Sequence, residues 1–322
     1  MMSRPRIGAV AIGRNEGARL LASLASLKDQ ADRVVYVDSG STDGSVSAAR
    51  ERGVEVVELD LSLPFTAARA RNAGRERLRE ILPDADLVQF VDGDCELRPD
   101  WIAKATARLA EEPALAIVCG RRRERHPEAS LWNRLVDREW DTPVGPARAC
   151  GGDALMRLSA FDAAEGFDPT LIAGEEPELC VRLRKAGWRI ERIDAEMTLH
   201  DADMTRMGQW WMRARRAGHA YAEGAAMHGA PPERHKVAEL RRALVWALAI
   251  PLAVLILTLA VSPWALLLLL IYPTQILRLR LHGEDWIPAF LLTLGKFPEL
   301  QGASDYALRR LTRRGTKLIE YK

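Results

Sequence analysis

In the N-terminal part of the chain, short apolar runs alternate with segments of helical spacing. Ile7–Ile12 is followed by a helix-like Gly17–Leu27, Val34–Val37 by Asp43–Arg52, and Val54–Leu59 by Thr66–Leu82, before a fourth run, Leu87–Val91. Strands this short and this apolar need cover on both faces, and parallel neighbours need a crossover between them, usually a helix. The alternation therefore predicts an α/β fold, a mostly parallel sheet flanked by helices. Ligands bind such sheets beyond the carboxyl ends of the strands. The turns after the first, second and fourth runs are Gly13-Arg14-Asn15-Glu16, Asp38-Ser39-Gly40-Ser41 and Asp92-Gly93-Asp94, and all three are expected on one edge of the sheet.

Further on, the spacing predicts a helix over Asp100–Glu112 and a strand over Ala114–Cys119. Arg121–Arg148 reads as an irregular, charged excursion. Glu175–Gly187 has acids in its first turn, an early Pro177 and a terminal glycine, the pattern of a complete helix. A strand over Trp188–Ile193 and a Trp- and Arg-rich helix over Met204–Gly224 follow.

From Ala243 to Leu277 no residue is charged, a stretch too long for one straight crossing of about 20 residues. Ser262-Pro263 suits a turn near its middle, so a hairpin of Ala243–Val261 and Trp264–Leu277 is expected. Arg241 and Arg242 precede it and Arg278 and Arg280 follow, which puts both ends on the cytoplasmic side. A re-entrant or interfacial insertion and a buried helix pair of a soluble protein are the alternatives. Three parts follow: 1–240, a membrane hairpin over 241–280, and an interfacial tail over 281–322. The tail joins apolar Trp286–Leu294 to basic Arg309, Arg310, Arg313, Arg314 and Lys317, which suits either a lipid surface or a solvated helix face.

The 46 basic and 44 acidic residues nearly cancel, and without a recognisable module no nucleic-acid partner is expected. Cys95, Cys119, Cys150 and Cys180 show no C-x-x-C spacing, so reduced thiols are expected rather than a zinc site or disulfide framework. The apolar run after Met1-Met2-Ser3-Arg4-Pro5-Arg6 is too short for a signal peptide, and the charged part is expected in the cytosol.

Asp92-Gly93-Asp94 ends an apolar strand with two carboxylates one residue apart, able to point into one cleft. Hard oxygen ligands of this kind suit Mg²⁺ or Mn²⁺, ions that bridge to phosphate oxygens.

Taken with its neighbours, this turn makes the chain familiar. Val37-Asp38-Ser39-Gly40-Ser41-Thr42-Asp43-Gly44-Ser45, Ala70-Arg71-Asn72-Ala73-Gly74 and Asp92-Gly93-Asp94 resemble successive elements of family 2 glycosyltransferases, which have the GT-A fold. Gly166-Phe167-Asp168, Gly174-Glu175-Glu176-Pro177-Glu178-Leu179 and Arg182-Leu183-Arg184-Lys185-Ala186-Gly187 resemble the acceptor-side segment of that family. The resemblance covers about residues 7 to 225. It implies a nucleotide-sugar site of Arg14, Glu16, Asp38, Arg71, Asn72, Asp92 and Gly93. Asp38 would meet the base, with Arg71 and Asn72 beside it, and Asp92 would meet the ribose. Asp94 would ligate Mn²⁺ or Mg²⁺, His200 would either join it or be a structural histidine, and Glu176 would be the catalytic base. Turn capping is the other reading of Asp38 and the favoured one for Asp43. The helix dipole alone accounts for Glu175 and Glu178.

Three departures stand out. The family's opening Pro-x-Tyr-Asn is here Ile12-Gly13-Arg14-Asn15-Glu16, so a planar guanidinium replaces the aromatic that would stack on the base. Glu-Asp becomes Glu175-Glu176, one methylene longer at the base. Gln209-Trp210-Trp211-Met212-Arg213 does not reproduce the Gln-x-x-Arg-Trp of processive synthases. Arg213, Arg215 and Arg216, beside the Trp pair, serve either the donor diphosphate or helix packing. The implied activity is inverting, metal-dependent transfer of one sugar from a nucleotide-sugar, UDP-linked, to an acceptor hydroxyl. The acceptor would be a lipid-linked glycan, at the cytoplasmic face of the inner membrane, in cell-surface polysaccharide synthesis. The alternatives are a non-catalytic membrane scaffold and a nucleotidyltransferase, though the latter would show a Gly-rich phosphate loop here.

Overall fold

The computed structural model describes residues 4–312. Two compact units divide between Thr205 and Arg206, earlier than the boundary at 240 read from the sequence.

The first unit contains β1 (Ile7–Gly13), α1 (Ala18–Lys28), β2 (Arg33–Asp38), α2 (Ser45–Glu51), β3 (Glu55–Glu58), α3 (Ala67–Ile81) and β4 (Leu87–Asp92). It continues through β5 (Cys95–Leu97), α4 (Trp101–Glu111), β6 (Leu115–Glu124), α5 (Leu131–Glu139), β7 (Gly145–Ala147), β8 (Ala154–Arg157), α6 (Leu158–Ala163), α7 (Glu175–Lys185) and β9 (Arg189–His200). The sheet runs β3-β2-β1-β4-β8-β6-β9-β5, with β7 against β9. β1 to β4 are parallel, as their apolar runs and helical crossovers require, whereas β8 lies antiparallel between β4 and β6. The core is built from the apolar sides of these strands and the inner faces of the helices.

Register puts the three turns together. Gly13 pairs with Asp38, and Ile12 with Asp92, so β1, β2 and β4 end at one level. Thr66, expected at the start of its helix, caps α3 by accepting the Arg69 N–H at 3.1 Å.

The segment Arg121–Arg148 departs from the expected irregular excursion. β6 carries on to Glu124, and α5 follows, with Ser130 accepting the Asn133 N–H at 2.9 Å. α5 buries only Asn133 and Val136. So thin an apolar stripe leaves little periodicity to detect.

In the second unit, α8 (Met207–His228) packs on α13 (Lys296–Thr312). The two backbones come close because both partners are glycine at the crossing: a Cβ on Gly218 would run into the Glu299 carbonyl, and one on Gly302 into that of Arg215. Trp211 Nε1 donates to Gln301 Oε1 at 3.0 Å, and Arg215 pairs with Asp305 at 2.6 Å. Both residues therefore take part in helix packing.

α9 (Val237–Leu244) passes through a π turn, Val245–Ala249, into α10 (Ile250–Ala260), making one continuous helix. After Ser262, a 3₁₀ segment, Pro263–Leu270, leads into α11 (Ile271–Leu281). Val237–Ala260 and Pro263–Leu281 are both long and apolar enough to cross a membrane. The second is longer than the Trp264–Leu277 read from the sequence. At rises of about 2 Å per 3₁₀ and about 1.5 Å per α residue, its 8 and 11 residues reach about 32 Å, the thickness of a hydrocarbon core. Leu259, Val261 and Trp264 at the tip are more than three-quarters exposed. α12 (Trp286–Leu294) exposes Trp286, Ile287 and Phe290 and buries Ala289 and Leu291. Arg309 and Arg310 lie near the end of α13, and Arg313, Arg314 and Lys317 lie outside the described residues.

Candidate active site

β4 ends at Asp92, and Gly93 turns the chain into β5. The Gly93 N–H donates to the Ile12 carbonyl at 2.7 Å, and a Cβ there would stand 3.1 Å from the same oxygen. The next residue, Asp94, is buried. His200 closes β9, opposite Cys95 on one side and Glu124 on the other. Its Nε2 lies 3.3 Å from Asp94 Oδ2, and its Nδ1 lies 3.5 Å from Glu124 Oε2. Burial, helped by the Arg122 guanidinium, pushes His200 below the usual histidine range, so the ring is neutral near pH 7 and keeps a lone pair. Burial holds the Cys95 thiol well above its ordinary value, hence protonated and a poor ligand. Donor atoms of Asp94, Cys95 and His200 lie within 4.8 Å of one another. A carboxylate oxygen and a neutral imidazole fit Mn²⁺, an ion that takes its remaining ligands from phosphate and water.

A second cluster surrounds Arg71 on α3, which is 2 % exposed. Its Nη2 meets Asp92 Oδ1 at 2.9 Å, and its Nη1 meets Glu175 Oε1 and Glu176 Oε1, each at 2.9 Å. One buried cation thus draws together acids from β4 and from the first turn of α7. The approach is close: a Cβ on Gly152 would fall 2.5 Å from Arg71 Nη2 and 2.9 Å from Asp92 Oδ2. Burial, then the neighbouring Glu175 charge, pushes Glu176 up to about 7 against the pull of Arg71. A carboxyl that titrates near working pH is what general-base chemistry needs. Glu178, the third acid of that turn, pairs instead with Arg182 at 2.7 Å.

The remaining expected residues serve the loops. Asp38, expected at the base, is buried and holds its own turn. Its Oδ1 accepts the Tyr36 hydroxyl at 2.7 Å, and its Oδ2 accepts the Gly40 and Ser41 N–H groups at 2.9 and 2.8 Å. Asp43 caps as expected, taking the Ser45 and Gly17 N–H groups at 3.0 Å. The Asn72 amide joins α3 to another loop. Nδ2 donates to the Phe167 carbonyl at 2.7 Å and Oδ1 accepts the Phe167 N–H at 3.0 Å, pinning the Gly166-Phe167-Asp168 turn. Glu16 pairs with Arg19 at 2.8 Å beside Gly13 and Gly93, and the exposed Arg14 lies over the Phe65 ring at 4.9 Å.

Residues 11–154 match the family described as Glycosyl transferase family 2. The pre-mycofactocin glycosyltransferase of Mycobacterium tuberculosis (strain ATCC 25618 / H37Rv) is 29% identical over 226 residues, 65% of this chain and 45% of that protein. The succinoglycan biosynthesis protein ExoA of Rhizobium meliloti (strain 1021) is 28% identical over 196 residues, 56% of this chain and 58% of that protein. The chain thus spans about half the length of these curated relatives. A mannosyltransferase from Pyrobaculum calidifontis, solved in complex with GDP-Man and Mn²⁺, superimposes with a TM-score of 0.67 at 21% identity. That match covers 97% of this chain and 88% of that one, and it shows the GT-A fold. Residues 11–154 thus carry a family 2 glycosyltransferase domain.

In this glycosyltransferase domain, several residues at the site escaped the sequence reading. Asp153 is fully buried; it accepts the Asp92 N–H at 3.1 Å and the Thr198 hydroxyl at 2.8 Å, so it fixes the strand end that carries Asp92. Arg122 pairs with Asp92 Oδ2 at 3.2 Å and lies over the Trp140 ring at 4.9 Å, while the ring of Trp140 meets that of His200 edge-on at 4.6 Å. Gly151-Gly152-Asp153 ahead of an apolar run was a usable signal for the first of these. Arg122 sits in a run of three arginines on a strand whose register shifts at that point, so alternation does not say which one faces the site.

Proposed function

We propose that this protein is an inverting, Mn²⁺-dependent glycosyltransferase that moves one sugar from a nucleotide-sugar to a hydroxyl of a lipid-linked glycan acceptor. The observation that carries this reading is the meeting of Glu176, Arg71 and Asp92, two residues from the Asp94–His200 pair. Glu176 takes the acceptor proton, the acceptor oxygen attacks the anomeric carbon from the face opposite the diphosphate, and the C–O bond to phosphate breaks with its electron pair leaving on the nucleoside diphosphate. Asp94 and His200 would hold Mn²⁺, which supplies charge neutralisation for that diphosphate. Arg71 keeps Glu176 and Asp92 apart in charge while holding them close in space.

The two apolar helices support membrane attachment by a hairpin, with both basic flanks on the cytoplasmic side. A tether in the same chain raises the effective concentration of an acceptor confined to the bilayer. The name of the succinoglycan relative favours cell-surface polysaccharide synthesis.

The test is a panel of UDP- and GDP-sugars, scored by thermal stabilisation with and without Mn²⁺ and then by donor turnover. Glu176→Gln and Asp94→Ala are expected to lose about 10²–10⁴-fold in turnover. Turnover that survives in both variants would sink the assignment.

A further inference from the structure

We propose that Glu124 is a positioning residue for His200: it accepts the ring proton at Nδ1 and so presents Nε2 as a bare donor to a divalent cation. This rests on the metal reading above. Glu124 and His200 end parallel neighbouring strands and are partners in register, so their side chains stand side by side on one face of the sheet. When Nε2 is given to a cation, the neutral ring must carry its proton on Nδ1. Nδ1 is buried and makes no hydrogen bond among the described residues, and Glu124 Oε2 lies 3.5 Å away.

Glu124 is itself held in place. It is 1 % exposed, and its Oε1 accepts the Asn133 side-chain amide at 3.2 Å and the His126 N–H at 3.1 Å. Oε2 accepts the Ala202 N–H at 3.0 Å. A carboxylate anchored by three donors cannot swing away, so its free lone pair stays fixed on the imidazole. Such an outer carboxylate orients a ligating histidine and strengthens it as a donor. On this geometry Glu124 touches neither cation nor substrate and acts through His200 alone.

Two measurements on the full chain in detergent test this. The first is Mn²⁺ affinity with UDP present, read from the EPR signal of free Mn²⁺, for wild type, Asp94→Ala, His200→Ala, Glu124→Gln and Glu124→Asp. Glu124→Gln is expected to weaken binding by about 10–100-fold, and Glu124→Asp, which restores an anionic acceptor, to recover part of the loss. If Asp94→Ala and His200→Ala lose Mn²⁺ while Glu124→Gln stays within about twofold of wild type, the role of Glu124 falls and the metal site stands. If Asp94→Ala and His200→Ala bind like wild type, the metal reading falls and takes this proposal with it. The second is the ¹⁵N spectrum of His200 in wild type with Mg²⁺ and UDP, which needs no Glu124 variant to fold. A proton on Nδ1 and none on Nε2 supports the proposal, and a proton on Nε2 overturns it.

Discussion

Glu176→Gln should cut transfer by about 10²–10⁴-fold and at the same time make the protein more stable, by a margin that opens above pH 4.5 and is full above about pH 7. The folded protein raises this carboxyl from 4.5 to about 7, first through burial and then through Glu175. A raised carboxyl binds its proton more tightly folded than unfolded. Stability from this group is therefore fully present below pH 4.5, falls between 4.5 and about 7, and is lost above that. At about 1.4 kcal/mol per pH unit, the ceiling on the loss is about 3 kcal/mol. Glutamine copies the protonated shape at every pH, so at pH 8 the variant escapes the loss, whereas at pH 4.5 it resembles wild type. Arg71 keeps Glu175 and Asp92 as partners in the variant, so its charge stays compensated. For a unit of this size, about 3 kcal/mol corresponds to a rise in Tm of about 6–12 °C. The assay is paired thermal melts of wild type and variant by tryptophan fluorescence at pH 4.5 and pH 8. An equal gain at both pH values would assign the effect to packing rather than charge. A fall in Tm at pH 8 would mean that the Glu176–Arg71 pair stabilises the fold, and the reasoning would be wrong.

Gly152→Ala places a Cβ against Arg71 Nη2 and Asp92 Oδ2; it should cost about 1–3 kcal/mol and lower turnover, and a variant with wild-type Tm and turnover would refute the close approach. Replacing Leu252 and Leu270, both exposed near the middle of the apolar helices, together by Arg should move the protein from the carbonate-washed membrane fraction to the soluble one, at about 2.5–3.5 kcal/mol per charge near a bilayer centre. Unchanged partition would remove the hairpin.

How much of this was legible in advance follows from what each feature depends on. The parallel strands β1 to β4 and their turns were readable because each is specified within a few residues: an apolar run, a Gly or Asp, a helix start. The caps at Thr66 and Asp43 are local for the same reason. α5 was missed because it buries so little apolar surface, and β8 because four residues are too few to show a period.

The site divides along the same line. The sequence by itself determined which chemistry is present: the acid pair at Asp92 and Asp94, the acids opening α7, a histidine late in the domain, and a charge-free stretch with basic flanks. Only the tertiary structure decided which of these groups face one another. Arg71 meets Glu175 across 104 positions, and Asp38 and Asn72, ligands by motif, also bond the backbone of the turns around them. The physical reason is that a side chain's role depends on its burial and its partners. Those partners arrive from strands paired in space, as Glu124 and His200 do, and nothing in the chain near either residue announces the other.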